Sequence, residues 1–238
     1  MKTIVKIGTG AIYDSKAEKL KMNIIGSLAE NIYDMHKRKH EFMIVSSGAV
    51  GCGKKYISGN DSIAVKQAQA AIGQPILMEA YRKAFNQYNL PVAQFLLSYS
   101  DLDSYTKLNN LKQTYDNLRR HAIPIVNEND PTAIEELKFG DNDPLAAELL
   151  VKFNFDKLVI LTEKGALISE GEIIKYGVSF DYQDYDNLDI SMNGSGGLES
   201  KLKAAKKAVD NNKECIIALA GDNLMQIING DKICTRFK

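Results

Sequence analysis

Short apolar runs alternate with segments of helical periodicity from the first residues of the chain to the last. Strand-like runs are predicted at residues 3–7, 42–45, 91–97, 124–126, 156–161 and 214–219. Helices are predicted at residues 17–39, 61–89, 105–121, 145–150 and 198–210, with a break at Gly73-Gln74-Pro75 and short hairpin-like pieces over residues 171–193. Apolar strands separated by helices are typical of a parallel sheet covered on both faces. The sequence therefore predicts an α/β protein, a three-layer αβα sandwich with a mostly parallel central sheet.

No repeat, low-complexity stretch or linker divides the sequence, so we expect a single domain over residues 1–238. The formal net charge is zero and no basic tract is present, which predicts neither a nucleic-acid partner nor a membrane surface. The N-terminal segment has no signal-peptide core, and no apolar run approaches the length of a membrane span. Three cysteines without CxxC spacing fit a reduced protein. We therefore expect a cytoplasmic protein.

Two clusters of short polar side chains, residues 127–130 and residues 140–143, flank the segment 131–139. The first cluster follows an apolar strand and the second precedes a predicted helix. Together they hold four carboxylates and three amides, which is more than turn chemistry alone requires. Loops between rigid elements concentrate binding and catalytic groups. The residues alone leave a metal site, a general base and a substrate-holding cluster open.

Three segments rich in glycine or serine fit anion binding, namely residues 6–10, 46–51 and 192–201. Free backbone N–H groups at such loops and at helix N-termini bind phosphates, and Lys6 and Lys201 add positive charge. A tight turn, a serine N-cap and a flexible loop with a solvated lysine explain the same patterns. The Walker, GxGxxG and G-x-S-x-G patterns are absent.

The combined inventory favours phosphoryl transfer. That reaction needs cations on the moving phosphoryl group, backbone donors on the nucleotide phosphates and groups that position the acceptor. The three histidines have no metal-ligand partner at useful spacing, and we interpret them as solvated.

Taken together, these motifs resemble those of the amino-acid kinase family and, within it, the glutamate 5-kinases. The matching elements occur in the family order over nearly the whole chain: residues 5–9, 46–49, 71–74, 126–130, 138–143, 161–162 and 194–201. Lys-x-Gly and Ser-Gly-Ala are general to the family. Asn-Glu-Asn-Asp followed by Gly-Asp-Asn-Asp is narrower and points to the glutamate enzymes.

The resemblance implies transfer of the γ-phosphoryl group of ATP, with Mg²⁺, to the γ-carboxylate of L-glutamate, the first step of proline biosynthesis. It also implies a homo-oligomer, a dimer or tetramer, and a functional link to a glutamate-5-semialdehyde dehydrogenase. Acceptor binding is expected in about residues 1–155 and nucleotide binding in about residues 156–238, with no PUA domain. A same-fold kinase for another small carboxylate or phosphate, and a weakened kinase acting as a ligand sensor, stay open.

The resemblance also implies roles for individual residues. Lys6 and Lys201 are expected to neutralise the transferring phosphoryl group, and Asp143 to hold both lysines. No metal-ligating residue is expected. Glutamate-binding residues implied by the resemblance are Ser47, Gly48, Ala49, Asp130, Asn142 and Asn127. Those implied for ATP are Gly8, Thr9, Thr162, Glu163, Ser195, Gly196, Gly197 and Lys201.

One departure from the family pattern concerns the loop after Thr162. An ungapped match places Ala166 where the family has glycine. If that position requires a positive φ, alanine is expected to strain the loop on the nucleotide side.

Overall fold

The computed structural model describes residues 1–132, 142–177, 179–181, 184 and 197–238. In chain order the strands are β1 (Lys2–Ile7), β2 (Tyr13–Asp14), β3 (Lys19–Leu20), β4 (Glu41–Ser46), β5 (Val92–Leu97), β6 (Ile123–Glu128), β7 (Lys157–Thr162), β8 (Ile168–Ser169), β9 (Glu172–Ile173), β10 (Glu214–Leu219) and β11 (Cys234–Phe237). Seven of them form the main sheet in the order β11-β10-β7-β1-β4-β6-β5. All neighbouring pairs in it are parallel except β10 with β11.

Helices cover both faces of this sheet. They are α1 (Thr9–Ile12), α2 (Met22–Lys37), α3 (Ala49–Gly53), α4 (Ile63–Asn86), α5 (Tyr99–Asp103), α6 (Tyr105–Leu118), α7 (Asp143–Lys152), α8 (Leu198–Asp210) and α9 (Leu224–Asn229). Strand side chains alternate between the faces, so Val5 packs in one core with α2, α4 and α9, whereas Ile4 packs in the other with α7 and α8. The predicted three-layer αβα fold is confirmed. None of the described helices combines the length and apolar character needed to cross a bilayer.

The parallel register brings four strand ends to one edge. Ile7 at the end of β1 lies opposite Ser46 of β4 and Leu161 of β7, and β6 continues alongside β4. In open α/β sheets, ligands bind in the crevice beyond the carboxyl ends of the strands. The polar residues that follow these strands therefore lie where a site is expected.

Two helix predictions were wrong. The helix predicted from residue 17 begins at Met22, because Tyr13–Asp14 pairs with Lys19–Leu20 in a hairpin before it. The break predicted at Gly73-Gln74-Pro75 does not occur, and α4 runs continuously from Ile63 to Asn86. A Cβ atom at Gly73 would lie 1.8 Å from the carbonyl oxygen of Ala49, so this glycine permits contact with α3 instead of ending the helix.

The C-terminal part contains elements that the sequence did not predict. They are the short helix α9 and the antiparallel edge strand β11. Arg236 of β11 is buried and donates hydrogen bonds to Glu214 Oε1 (2.6 Å) and to the carbonyl oxygen of Ile228 (2.8 Å). These contacts tie β11 to β10 and to α9. The hairpin-like pattern at residues 171–193 corresponds only to β8 and β9 in the described residues, and most of that range lies outside them.

Candidate active site

Three charged side chains predicted to be catalytic meet at the carboxyl edge of the sheet. Lys6 Nζ lies 2.6 Å from Asp143 Oδ1, and Lys201 Nζ lies 3.1 Å from Asp143 Oδ2. Lys6 and Asp143 are buried, with 1% and 0% of their side chains exposed, and Lys201 retains 16%. One carboxylate thus holds two ammonium groups side by side. This Lys6–Asp143–Lys201 set, called the cationic triad below, keeps a net positive charge.

The local sequence explains how the triad is assembled. Lys6 is the penultimate residue of β1, and Lys201 lies in the first turns of α8. Asp143 is the first residue of α7, and it precedes a proline that suits the first turn of a helix. A carboxylate at this end is stabilised by the helix dipole. A Cβ atom at Gly8 would lie 3.5 Å from Lys6 Nζ, so the glycine turn after β1 adjoins the ammonium group.

Beside the triad lies a cluster of buried polar groups with unmet hydrogen-bonding capacity. Ser47, Asp130 and Asn142 are 2%, 3% and 0% exposed. Among the described residues, Ser47 Oγ, Asp130 Oδ1 and Asn142 Oδ1 have no hydrogen-bond partner. An unsatisfied buried polar atom costs about 1–3 kcal/mol, so such atoms are rare in folded proteins and three of them close together need an explanation. These are three of the residues predicted to hold the acceptor.

A chain of side-chain amides supports this cluster from behind. Asn142 Nδ2 donates to the backbone oxygen of Ser46 (2.9 Å) and to Asn127 Oδ1 (2.7 Å). Asn127 Nδ2 donates in turn to Gln74 Oε1 at 2.7 Å. Asn127 therefore contacts other side chains of the site. Gln74 was not predicted as a site residue, although it lies in a segment that carries the family resemblance.

Asp130 faces an open cleft of about 310 Å³ between α4 and the ends of β5 and β6. Glu128 and Gln74 line the same cleft, together with apolar residues. Burial raises the pKa of Asp130 from 3.8 to about 7. A bound cation in the cleft would favour the ionised carboxylate, so the site suits a ligand that carries an ammonium group.

The turn between β4 and α3 requires glycine at position 48. Gly48 has φ 107°, in the left-handed region, and it precedes the first residue of α3, Ala49. Both residues are buried next to Ser47. The Ser47 N–H group donates to the carbonyl oxygen of Ile7 at 3.1 Å, which joins this turn to the end of β1.

On the other side of the triad, Thr162 ends β7 and shapes the loop that follows. Its Oγ1 accepts a hydrogen bond from the Gly165 N–H group at 2.8 Å. Gly165 carries the positive φ of this loop, 81°, whereas Ala166 is absent from the residues with positive φ. The strain considered for Ala166 is therefore not found.

A further contact links this loop to the glycine turn after β1. Lys21 Nζ donates to the carbonyl oxygen of Gly10 (2.7 Å) and to Glu163 Oε1 (2.8 Å). Glu163 is 63% exposed and Lys21 26%. Lys21 was not predicted from the sequence, because its partners are distant along the chain.

The remaining nucleotide-side predictions lie on helix starts or outside the described residues. Gly8 and Gly197 are the N-caps of α1 and α8, and Thr9 is the first residue of α1. Ser195 and Gly196 lie outside the described residues. Within the described ranges, no three His, Cys, Asp or Glu side chains form a group that could hold a metal ion.

Comparison with known proteins decides the family. The model of the amino acid kinase family matches residues 1–219. This chain belongs to the amino acid kinase family. Similar solved structures include UMP kinase from Ureaplasma parvum (TM-score 0.61, 14% identity, 99% of this chain and 98% of that one). Carbamate kinase from Giardia lamblia bound to AMP-PNP gives a TM-score of 0.64 at 18% identity, covering 99% and 97% of the two chains. At these identities the likeness concerns the fold.

The curated relatives of this family member are more similar in sequence. Glutamate 5-kinase of Gloeobacter violaceus is 35% identical over 98% of this chain and 67% of that protein. Glutamate 5-kinase of Desulfotalea psychrophila is 35% identical over 99% and 66%, and that of Thermoanaerobacter sp. is 35% identical over 100% and 68%. The chain spans about two thirds of the length of these relatives.

Proposed function

We propose that this chain is a glutamate 5-kinase, which transfers the γ-phosphoryl group of ATP to the γ-carboxylate of L-glutamate. The observation that carries the proposal is the cationic triad placed beside three buried polar atoms that lack partners in the described chain. The triad suits a transferring phosphoryl group, and the polar cluster suits a small polar acceptor. Relatives named glutamate 5-kinase, 35% identical along the chain, support the choice of acceptor.

In the proposed reaction an oxygen of the glutamate γ-carboxylate attacks the γ-phosphorus of ATP. A bond from that oxygen to phosphorus forms, the bond to the β,γ-bridging oxygen breaks, and ADP leaves with its electron pair. The carboxylate is ionised at neutral pH, so no general base is needed. Both oxygens of Asp143 are engaged by Lys6 and Lys201, which suits a positioning role for Asp143. The two ammonium groups neutralise charge on the phosphoryl oxygens.

The acceptor would be held by Ser47, Asp130 and Asn142, with Gly48 and Ala49 contributing backbone and Asn127 supporting the cluster. The buried Asp130 carboxylate is a natural partner for the α-ammonium group of glutamate, and binding would compensate the desolvation that raises its pKa. A ligand with hydrogen-bonding groups on several sides would satisfy the three atoms that now lack partners.

ATP would be bordered by Gly8, Thr9, Thr162, Glu163, Gly197 and Lys201, and by Ser195 and Gly196 of the loop before α8. Mg²⁺ would enter as MgATP, because this ion usually keeps several waters and is held largely by substrate phosphates. An acceptor part at about residues 1–155, a nucleotide part at about residues 156–238, a homo-oligomeric state, a cytoplasmic location and a link to a glutamate-5-semialdehyde dehydrogenase belong to the same proposal.

The test is an acceptor panel with purified protein and MgATP. L-Glutamate, L-aspartate, N-acetyl-L-glutamate, carbamate and UMP are compared by ADP release, and acyl phosphate is trapped as hydroxamate. Glutamate-dependent hydroxamate together with stoichiometric ADP is the expected result. Turnover with another acceptor alone would replace the substrate assignment. Glutamate binding without turnover would indicate a ligand sensor.

A further inference from the structure

Gln74 occupies a fixed position in the wall of the cleft that Asp130 faces, called the acceptor cleft below. It follows Gly73, where a Cβ atom would lie 1.8 Å from the Ala49 carbonyl oxygen and 2.8 Å from the Gly53 nitrogen. The backbones of α4 and α3 are therefore in direct contact at this point. Because that contact leaves little freedom to shift, the side chain of Gln74 enters from a defined place the cleft that Asp130 also lines.

Hydrogen bonds to the backbone determine the orientation of each side-chain amide in the series Asn142, Asn127 and Gln74. The carbonyl oxygen of Ser46 can only accept, so Asn142 must turn its Nδ2 toward it (2.9 Å). The N–H group of Glu128 can only donate, so Asn127 must turn its Oδ1 toward it (2.9 Å). Asn127 Nδ2 then faces Gln74, which has to offer Oε1 at 2.7 Å. Because Gln74 turns its Oε1 toward Asn127, its Nε2 is directed away from Asn127.

Gln74 Nε2 brings two N–H donors to a cleft that also contains two carboxyl side chains. Within the described part of the chain, Gln74 makes no hydrogen bond other than the one through Oε1. The cleft is lined by the carboxyl side chains of Asp130 and Glu128, by the exposed residue Gln94 and by apolar surface from Ala71 and Leu96. A ligand carboxylate entering this cleft would meet two acidic groups and needs a donor to be held there.

We propose that Gln74 is a specificity-determining residue of the acceptor site, donating from Nε2 to the α-carboxylate of the bound amino acid. Asp130 accepts from the α-ammonium group of the same molecule, so the two side chains distinguish an α-amino acid from a simple carboxylic acid. The inference rests on the proposed function, because it assigns a subsite within the glutamate-binding cleft.

The test compares L-glutamate with 4-aminobutyrate, which differs only in lacking the α-carboxylate. Gln74→Glu keeps an oxygen for Asn127 Nδ2 but replaces the donor with a second oxygen. Loss of a hydrogen bond to a charged group should raise the KM for glutamate by about 10- to 100-fold. The inhibition constant of 4-aminobutyrate against glutamate phosphorylation should stay unchanged or fall. The kcat and the KM for ATP should stay near the wild-type values.

A second variant keeps the test decisive if the added charge prevents folding. Gln74→Met has similar length and neither donor nor acceptor, so it should also remove the preference for glutamate over 4-aminobutyrate. Because it also deprives Asn127 of its partner, kcat should fall in this variant and not in Gln74→Glu. Thermal unfolding and the KM for ATP serve as folding controls.

The outcomes separate the inference from the proposed function. Wild-type protein without glutamate turnover would overturn both. Wild-type turnover with an unchanged glutamate KM in Gln74→Glu, or with equal shifts for glutamate and 4-aminobutyrate, would overturn the role of Gln74 alone. A selective loss for glutamate supports it.

Discussion

The cationic triad and the acceptor cleft lie at one edge of the sheet, but they differ in how far the protein itself satisfies their polar groups. Asp143 has a lysine at each oxygen. Its neighbour Asn142 and the nearby Asp130 each bury an oxygen that has no partner among the described residues. The charges proposed to bind the phosphoryl group are therefore held together by side chains of the protein itself, whereas the proposed acceptor cleft leaves polar atoms for a ligand to satisfy. Substitutions in the two regions should accordingly affect different steps.

The largest effect is expected from Lys201→Ala. Removing one of the two cations proposed to stabilise the transferring phosphoryl group should lower kcat by about 10³-fold, in line with the loss of comparable charge-stabilising groups. Glutamate binding should survive, because Lys201 pairs with Asp143 of the triad. Lys203→Ala on the same helix is the matched control, since its partner is the exposed Glu199. Steady-state kinetics and glutamate titration check both parts, and equal losses of turnover and binding would assign Lys201 a structural role.

The next largest effect is expected from Asp130→Asn. Loss of the buried carboxylate should lower kcat/KM for glutamate by about 100-fold, the scale of a hydrogen bond to a charged group. In the wild type, kcat/KM should rise with pH through about 7, as the carboxyl group of Asp130 ionises. The variant should lose that pH dependence. A pH profile that is the same in both proteins would contradict the assignment.

The same pKa makes a prediction for stability without ligand. The pKa of Asp130 is raised from 3.8 to about 7, so the folded state holds an extra proton between those values. Wild-type unfolding free energy attributable to this group should therefore fall as pH rises from about 4 to about 7. Denaturant unfolding of wild type and Asp130→Asn across this range measures their unfolding free energies. The unfolding free energy of the variant should increase relative to that of the wild type as pH rises.

A smaller effect is expected from Lys21→Met on the nucleotide side. The Lys21–Glu163 pair is partly exposed, and such pairs contribute about 0.2–1 kcal/mol. The KM for ATP should rise by about two- to fivefold, because the glycine turn after β1 loses its link to the loop after Thr162. Lys37→Met, which removes another exposed pair, is the control. If only the KM for glutamate changed, the Lys21–Glu163 contact would support acceptor binding and not nucleotide binding.

The smallest effect is expected from Ala166→Gly. Ala166 does not occupy the positive-φ region, so glycine should relieve no strain and should cost at most about 1 kcal/mol of stability through the unfolded state. Kinetic constants for ATP should not change. Gly165→Ala is the contrasting variant, since φ of 81° should cost about 1–2 kcal/mol with alanine. A gain of stability in Ala166→Gly would contradict this prediction, because it would indicate backbone strain at Ala166 despite the absence of a positive φ.

The six parallel strands of the main sheet were predictable because they are nearly continuous apolar runs, whereas the antiparallel edge strand β11 was not. Helix α8 matches its predicted bounds. Asp143 and Lys201 lie 58 positions apart, and Lys6 is farther still along the chain. The residue pattern could therefore be interpreted only through the family resemblance. The continuous helix α4 was not predictable. Gly73 and Pro75 look like helix breakers in the sequence, but the backbone of α3 packs against Gly73 and the helix continues through Pro75. Gln74 was missed for the same reason, since its role depends on contacts with residues far along the chain.

The most direct test of the contrast between the two regions is calorimetric titration of L-glutamate into Lys201→Ala and Asp130→Asn. The account predicts that Lys201→Ala keeps a Kd within about threefold of wild type, whereas Asp130→Asn weakens binding by about 100-fold, or about 2.7 kcal/mol. Comparable losses in both variants would contradict a triad formed independently of the acceptor cleft.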